Sequence, residues 1–335
     1  MRIKIVVAAF LTGLLVNVSV ADEGWLLFPA KEGAGQGKHI ALLAGDEEYR
    51  SEEAMPMLGK ILSQHHGFKC TVHFSVNEAG EIDPANQESV TGSEQLQHAD
   101  AIVMSLRFRQ WPEEDRKNFT DAIERGIPLI GLRTSTHAFR GPLRTFGKDV
   151  LGENWVNHWG GHKRQATRGV VEPAAVGHEI LSGVADVFGN SDVYEAYPPE
   201  DATILLRGVV LKGMEPDSEP ATHEKNRSRG DKGKQGVNDP AMPVLWTREH
   251  EHASGNTSRV VCTTLGAATD FKSEGLRRVV VNSVFWGLKL DVPESANVEF
   301  VDKYEPTMYG FGTFRKGERP ENHKLGSALL APSSP

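Results

Sequence analysis

Between Gly126 and Phe139 an unbroken apolar run, Ile127-Pro128-Leu129-Ile130-Gly131-Leu132, passes directly into Arg133-Thr134-Ser135-Thr136-His137. An apolar run without polar alternation predicts a strand covered on both faces, the kind found in parallel sheets flanked by helices. In open α/β sheets ligands sit beyond the carboxyl ends of the strands, so Arg133, Thr134, Ser135 and His137 are expected to face a crevice. The alternative is a surface turn in which Thr134 or Ser135 caps a helix.

The same rhythm recurs upstream. Residues 39–44 predict a first strand ending at Gly45, then a loop, Asp46-Glu47-Glu48-Tyr49-Arg50, then an acidic helix start at Ser51-Glu52-Glu53. Ala54, Leu58, Ile61 and Leu62 form the inner face of that helix, and Pro56 leaves its first turn open. Residues 69–75 and 101–106 predict two more strands, the latter leading into Arg107-Phe108-Arg109. The next helix has Pro112 at its first position, Glu113 and Glu114 in its first turn, Phe119, Ala122 and Ile123 inward and Gly126 as its stop. Residues 127–132 are the fourth strand. This alternation predicts an α/β fold whose mostly parallel sheet is joined by right-handed crossovers.

After His137 the rhythm loosens. The stretch Trp155-Val156-Asn157-His158-Trp159-Gly160-Gly161-His162 has no period; strands resume at 168–171, 203–210, 243–246 and 259–265, and a helix runs from Ser273 to about Trp286. Residues 212–240, charged and rich in Gly, Pro, Ser and Asp, read as a long mobile loop, either a lid or an inert insertion. From Asp291 onward an extended tail is expected to lay Tyr304, Tyr309, Phe311 and Phe314 over the core, with disorder at 331–335.

Residues 1–21 have the make-up of a secretory signal: Arg2 and Lys4, an apolar stretch over 5–18, and Ser19-Val20-Ala21 before the cut. An uncleaved anchor is the competing reading, but Thr12, Gly13 and Asn17 interrupt a run already short of the roughly 20 residues a span needs. Export to a periplasmic or extracellular space follows, with no membrane span after cleavage. The net charge of -8 grows more negative once Arg2 and Lys4 leave, which disfavours nucleic acid as a partner. Cys70 and Cys262 both sit in strand-like runs, where a disulfide and two buried thiols remain open readings, and neither lies on a nucleophile's turn.

Four motifs together resemble the ThuA-like, or trehalose-utilisation, family of the class I glutamine amidotransferase-like superfamily. They are Ala44-Gly45-Asp46-Glu47-Glu48-Tyr49-Arg50-Ser51-Glu52, Arg107-Phe108-Arg109, Gly131-Leu132-Arg133-Thr134-Ser135-Thr136-His137-Ala138-Phe139 and Thr264-Leu265-Gly266-Ala267-Ala268-Thr269-Asp270-Phe271. The resemblance covers 38–293, leaving 294–335 as the tail. It implies a three-layer flavodoxin-like fold and a link to sugar metabolism. Glutamine amidotransferases carry Gly-x-Cys-x-Gly where this chain has Gly131-Leu132-Arg133-Thr134-Ser135, so hydrolysis of glutamine through a thioester is excluded. Ser135 is read as a helix cap, because no base is placed beside it.

What remains is a noncovalent site. Arg107, Arg109 and Arg133 offer donor forks for carboxylate, phosphate or sugar hydroxyls, with Asp46, Glu48 and Thr134 as further substrate-binding groups. The alternative for each arginine is a structural ion pair to Asp46, Glu47 or Glu52. His137 is the candidate general acid/base, tuned by a carboxylate such as Glu48. His158 and His162, four apart, could share a helix face and bind a divalent metal such as zinc with His137 as third ligand. Gly160 and Gly161 argue against that helix and leave the satisfied loop histidine as the other reading. His250 and His252 read as a solvated hairpin.

The expected partner is a small carbohydrate, with a homo-oligomer left open. Three functions fit: an enzyme that hydrolyses, isomerises or eliminates a sugar or keto-sugar derivative; a carbohydrate-binding envelope protein in which Trp155 or Trp159 stacks on the ring; or an interaction protein using the aromatic tail.

Overall fold

In the computed structural model, which describes residues 24–327, the chain opens with β1 (Trp25–Phe28), β2 (His39–Gly45), α1 (Ser51–His66) and β3 (Lys69–His73). β4 (Ala101–Leu106), α2 (Glu113–Ile123) and β5 (Leu129–Leu132) follow, then the two-residue strand β6 (Asn157–His158). The second half adds β7 (Thr167–Val171), β8 (Phe188–Gly189), β9 (Tyr194–Glu195), β10 (Thr203–Val210), β11 (Glu224–Asn226), β12 (Lys234–Gly236), β13 (Met242–Glu251), β14 (Thr257–Thr263) and α3 (Glu274–Gly287). The expected signal segment and the residues 331–335 lie outside the described residues.

One ten-stranded sheet runs in the order β1-β3-β2-β4-β5-β14-β13-β10-β7-β8. Its centre, β3-β2-β4-β5-β14, is parallel, and the strands at both flanks are antiparallel. In chain order the parallel strands stand second, first, third, fourth and fifth, which is the flavodoxin-like order. The winding therefore reverses between β2 and β4, and a crevice opens outside their carboxyl ends. The strands are apolar throughout because both faces are covered. Ile40, Leu42, Val103 and Ile130 pack with α1 and α3 on one side, and Ala41, Leu43, Ile102 and Met104 pack with Phe119, Ala122 and Ile123 of α2 on the other. The result is a three-layer α/β domain.

α1 runs through Pro56 without ending, since almost every residue of the helix is buried and packing supplies what local propensity does not. α2 begins one residue later than expected, with Pro112 as its N-cap, and ends at Ile123 with Glu124 as its C-cap; Gly126, at φ 77°, belongs to the turn that follows. Beyond β5 the expected α-helix is absent: residues Arg133–His137 form a tight 3-10 turn with no side-chain cap. Ser135 caps nothing there. Its hydroxyl instead donates to the Met104 carbonyl (2.9 Å) and accepts from the Leu106 N–H (3.3 Å), tying the turn to the end of β4.

The region expected as a long loop carries its own ribbon, β11 against β12, and buries Val237 beneath the Trp159 indole, whose N–H donates to the Val237 carbonyl (2.9 Å). The hairpin at His250 and His252 forms between β13 and β14, but His252 is buried against Ser258 instead of solvated. Cys70 and Cys262 are free, buried thiols on strands four places apart in the sheet. The tail crosses the carboxyl end of the sheet with Tyr304, Tyr309 and Phe314 buried and Phe311 exposed. No helix among the described residues is long and apolar enough to cross a membrane.

Candidate functional site

Three loops leave the carboxyl ends of β2, β4 and β5, and each contains a non-glycine residue in the left-handed region: Arg50 (φ 62°), Phe108 (φ 51°) and Arg133 (φ 40°). Such backbone costs of order 1–3 kcal/mol per residue and persists only where the surroundings hold it. Arg133 occupies the sharp strand-to-turn position at which a nucleophile elbow would present its side chain. The elbow is kept and its chemistry is replaced.

Instead of facing solvent, Arg133 is fully buried between the rings of Tyr49 and Tyr194, 4.3 and 4.0 Å from their centroids. It donates to the Asp192 carboxylate (3.0 Å), the Asp192 carbonyl (2.9 Å), the Thr264 carbonyl (2.7 Å) and the Tyr49 hydroxyl (3.1 Å). Arg109 is likewise buried, paired with Glu47 and donating to the carbonyls of Pro84 and Asn86. Asp46 accepts from the backbone N–H groups of Glu48 (2.7 Å) and Tyr49 (3.0 Å) and from the Thr134 hydroxyl, which closes the loop after β2. Asp46, Arg109, Arg133 and Thr134 thus stand behind the crevice, not in it. Arg107 stays on the rim, paired with Glu47 and stacked between Phe108 and Phe311 (4.5 and 4.9 Å).

The groups that do face the opening converge on Asp192. His158 Nδ1 lies 2.8 Å and His162 Nδ1 3.2 Å from its two carboxylate oxygens, and His162 Nε2 lies 3.2 Å from Glu48 Oε1. Burial alone would raise the Asp192 carboxyl, but the hydrogen bonds from both histidines and the Arg133 charge outweigh it and hold the group well below its ordinary range. An ionised Asp192 can only accept, so the Nδ1 atom of each ring carries the proton. Burial, with Asp46 nearby, pushes the Glu48 carboxyl upward against the pull of His162 and Arg107. Glu48 Oε1 and His162 Nε2 thus face each other at 3.2 Å.

His158 reaches Asp192 from a strand, not a helix: β6 pairs with β9, His158 opposite Tyr194. The chain then turns so that the N–H groups of Trp159 and Gly160 both meet the Val193 carbonyl (2.7 and 3.0 Å). A Cβ on Gly160 would stand 3.2 Å from Asp192 Cβ and 3.3 Å from the Val193 nitrogen, so this glycine permits the close approach that aims both histidines. Asp270 fixes the turn between β8 and β9, accepting from the Ser191 hydroxyl (2.6 Å) and backbone N–H (3.0 Å) and from the N–H groups of Gly266 and Ala267.

Among the described residues, His158, His162 and Asp192 form the group able to hold a metal ion, with ligand atoms all within 4.8 Å of one another. His137 is not one of them. Its ring packs between Phe108 (5.0 Å) and Trp155 (5.6 Å), and burial together with the Arg107, Arg133 and His158 charges keeps it well below its ordinary pKa. It is a neutral imidazole and a weak base, fit to exchange hydrogen bonds but poorly suited to carry a proton at neutral pH. Asp192 carries no signal in the sequence, since it is a lone acid in a turn far from either histidine. Tyr309 arrives from the tail to pack on Tyr49 (5.0 Å) and His162 (5.6 Å), and the Gly310 N–H donates to the Glu48 carbonyl (2.8 Å). Of the two tryptophans proposed to stack on a sugar, Trp159 is fully buried and Trp155 is 39% exposed.

A family model described as ThuA, trehalose utilisation, matches residues 41–287. Among solved structures, one described as ThuA-like from Parabacteroides merdae is 14% identical over 82% of this chain and 97% of its own, with a TM-score of 0.47. Another described as ThuA-like, from Bacteroides uniformis, is 14% identical over 77% of this chain and 94% of its own, with a TM-score of 0.48. No curated protein matches the chain.

Proposed function

The chain belongs to the ThuA, trehalose-utilisation family, and on that premise we propose that it is an exported enzyme acting on a sugar or keto-sugar derivative by acid/base chemistry. The observation that carries this reading is the convergence of Glu48, His162, His158 and Asp192 at the mouth of the β2/β4 crevice. Asp192 orients both imidazoles and would stabilise positive charge on them, while His162 Nε2 and Glu48, 3.2 Å apart, set an imidazole and a carboxyl side by side as a proton-transfer pair. That pair suits proton abstraction beside a carbonyl followed by return of the proton, the step common to isomerisation and elimination. His137, held neutral, accepts a hydrogen bond from a hydroxyl further along the cleft.

A divalent cation, zinc by the chemistry of two imidazoles and one carboxylate, would be held by His158, His162 and Asp192 and would polarise a carbonyl oxygen there. The ligating nitrogen of each ring would have to be free of its proton, by a shift to the other ring nitrogen or by loss. In either state Arg133 keeps Asp192 in place.

The test is turnover of keto-disaccharides followed by NMR, with metal content measured on the same protein. Wild type should convert substrate, Glu48→Gln and His162→Ala should lose about a hundredfold or more, and all three should still bind sugar. Sugar binding without turnover in the wild type would replace this reading with that of a carbohydrate-binding protein.

A further inference from the structure

Beside the acid/base cluster lies a second cleft, of about 380 Å³, whose walls include Phe108, His137, Arg140, Arg144, Asn154 and Trp155. Its size falls in the range of about 300–1000 Å³ typical of small-molecule sites. Its lining contains two arginines and no carboxylate. Arg140 and Arg144 are exposed, and neither has an acidic partner within ion-pairing distance among the described residues, although the chain carries 45 acidic residues against 37 basic ones. Arg140 is held in place by stacking on Phe108, its guanidinium carbon 4.6 Å from the ring centroid. The neutral His137 adds no negative charge on the inner wall.

The two clefts are joined by a row of rings. Centroids step from Phe108 to His137 (5.0 Å), Trp155 (5.6 Å), His158 (5.7 Å) and His162 (4.7 Å), giving one aromatic wall from the arginines to the acid/base cluster. Trp155 stands in this row between the acid/base cluster on one side and the two arginines on the other. Unpaired guanidinium groups on an otherwise acidic protein concentrate positive potential in this cleft, and their donor forks match oxyanions.

From this geometry we infer that the cleft is a subsite for an anionic group, a carboxylate or phosphate carried on the part of the substrate distal to the reacting carbon. The inference rests on the proposed sugar chemistry for the identity of the ligand, but its test does not require turnover. Calorimetric titration of the full-length protein with glucuronate, glucose 6-phosphate and glucose, at low and high salt, compares wild type with the Arg140→Ala/Arg144→Ala double variant. Both arginines are exposed and outside the core, so the variant folds. The wild type should bind at least one anionic sugar about tenfold tighter than glucose, the preference should shrink with salt, and the double variant should lose it while its affinity for glucose is unchanged. Preference for glucuronate assigns a sugar acid, and preference for glucose 6-phosphate assigns a sugar phosphate. Equal affinity for all three ligands, or an anion preference that survives in the variant, overturns the subsite. An anion preference in a protein that turns over no sugar would leave the subsite standing and remove the enzymatic reading alone.

Discussion

The parallel half of the sheet and the irregular half that follows β5 contribute different things to the same crevice. β2, β4 and β5 fix where the crevice is and hold its rear wall, through Asp46, Arg109, Arg133 and Thr134. The segments around β6 and β9 supply most of the cluster at the opening, His158 and His162 with Asp192 buried behind them, and the loop after β2 adds Glu48. Regular elements set position and irregular ones set chemistry, because a strand covered on both faces has no freedom to present a polar side chain. Arg133 and Asp192 are the joint between the halves. The strained elbow after β5 delivers a cation, and the turn before β9 delivers the anion that it fixes.

The largest way to break that division is to remove the joint. Arg133→Met leaves a fully buried carboxylate without its cation, and breaking one side of such a pair costs about 3–5 kcal/mol. Urea unfolding should show a loss of that size. A loss below about 1 kcal/mol would mean that the two histidines alone compensate Asp192 and that the halves are not joined through Arg133.

A second effect belongs to the parallel half alone. Glu52, at the start of α1, is buried with neither carboxylate oxygen partnered, and burial followed by the neighbouring Glu53 charge raises its carboxyl from 4.5 to about 8. Because the folded value lies above the unfolded one, the stability this group supports is complete below about pH 4.5, erodes as pH rises, and is gone above about pH 8. Glu52→Gln should match wild type near pH 4 and be more stable by a few kcal/mol at pH 9, each pH unit between the two values contributing about 1.4 kcal/mol. Thermal melts of both proteins across that range give the answer, and parallel curves would show that Glu52 finds a partner in solution.

The difference between the halves also governs what the sequence reveals. The parallel strands are legible because burial on both faces writes continuous apolar runs, and the start of α2 is legible to within a residue because Pro112 acts locally. The antiparallel flanks announce themselves only as short runs, since their pairings join residues far apart. In the site, Glu48, His158 and His162 could be picked out by residue type, and Gly160-Gly161 correctly spoke against a helix. Asp192 could not be, because its proximity to both histidines exists only once β6 and β9 pair. An arginine at the end of a strand reads the same whether it meets solvent or is enclosed, and Arg133 is enclosed by Tyr49 and Tyr194, both distant from it in sequence.

A smaller effect sharpens the account of the elbow. Ser135 sits where a nucleophile could be sought, yet its hydroxyl is spent on the Met104 carbonyl and the Leu106 N–H. Ser135→Ala should cost about 1 kcal/mol of stability, as for one net buried hydrogen bond, and leave turnover unchanged. Loss of turnover with stability intact would return Ser135 to the chemistry.

Trp155 should give the smallest change in stability and still matter to function. It is 39% exposed, lies outside the rear wall, and touches the site through the His137, His158 and Tyr194 rings. Truncating an exposed side chain away from buried networks changes stability by about 0.5 kcal/mol or less. Losing an aromatic face from a binding wall forfeits about 0.5–1.5 kcal/mol of stacking, or up to about tenfold in affinity. Trp155→Ala should therefore melt with wild type while its sugar affinity, measured by calorimetry, drops severalfold. A melting loss approaching that of Arg133→Met would place Trp155 in the scaffold, and the row of rings would then be packing, not a platform for substrate.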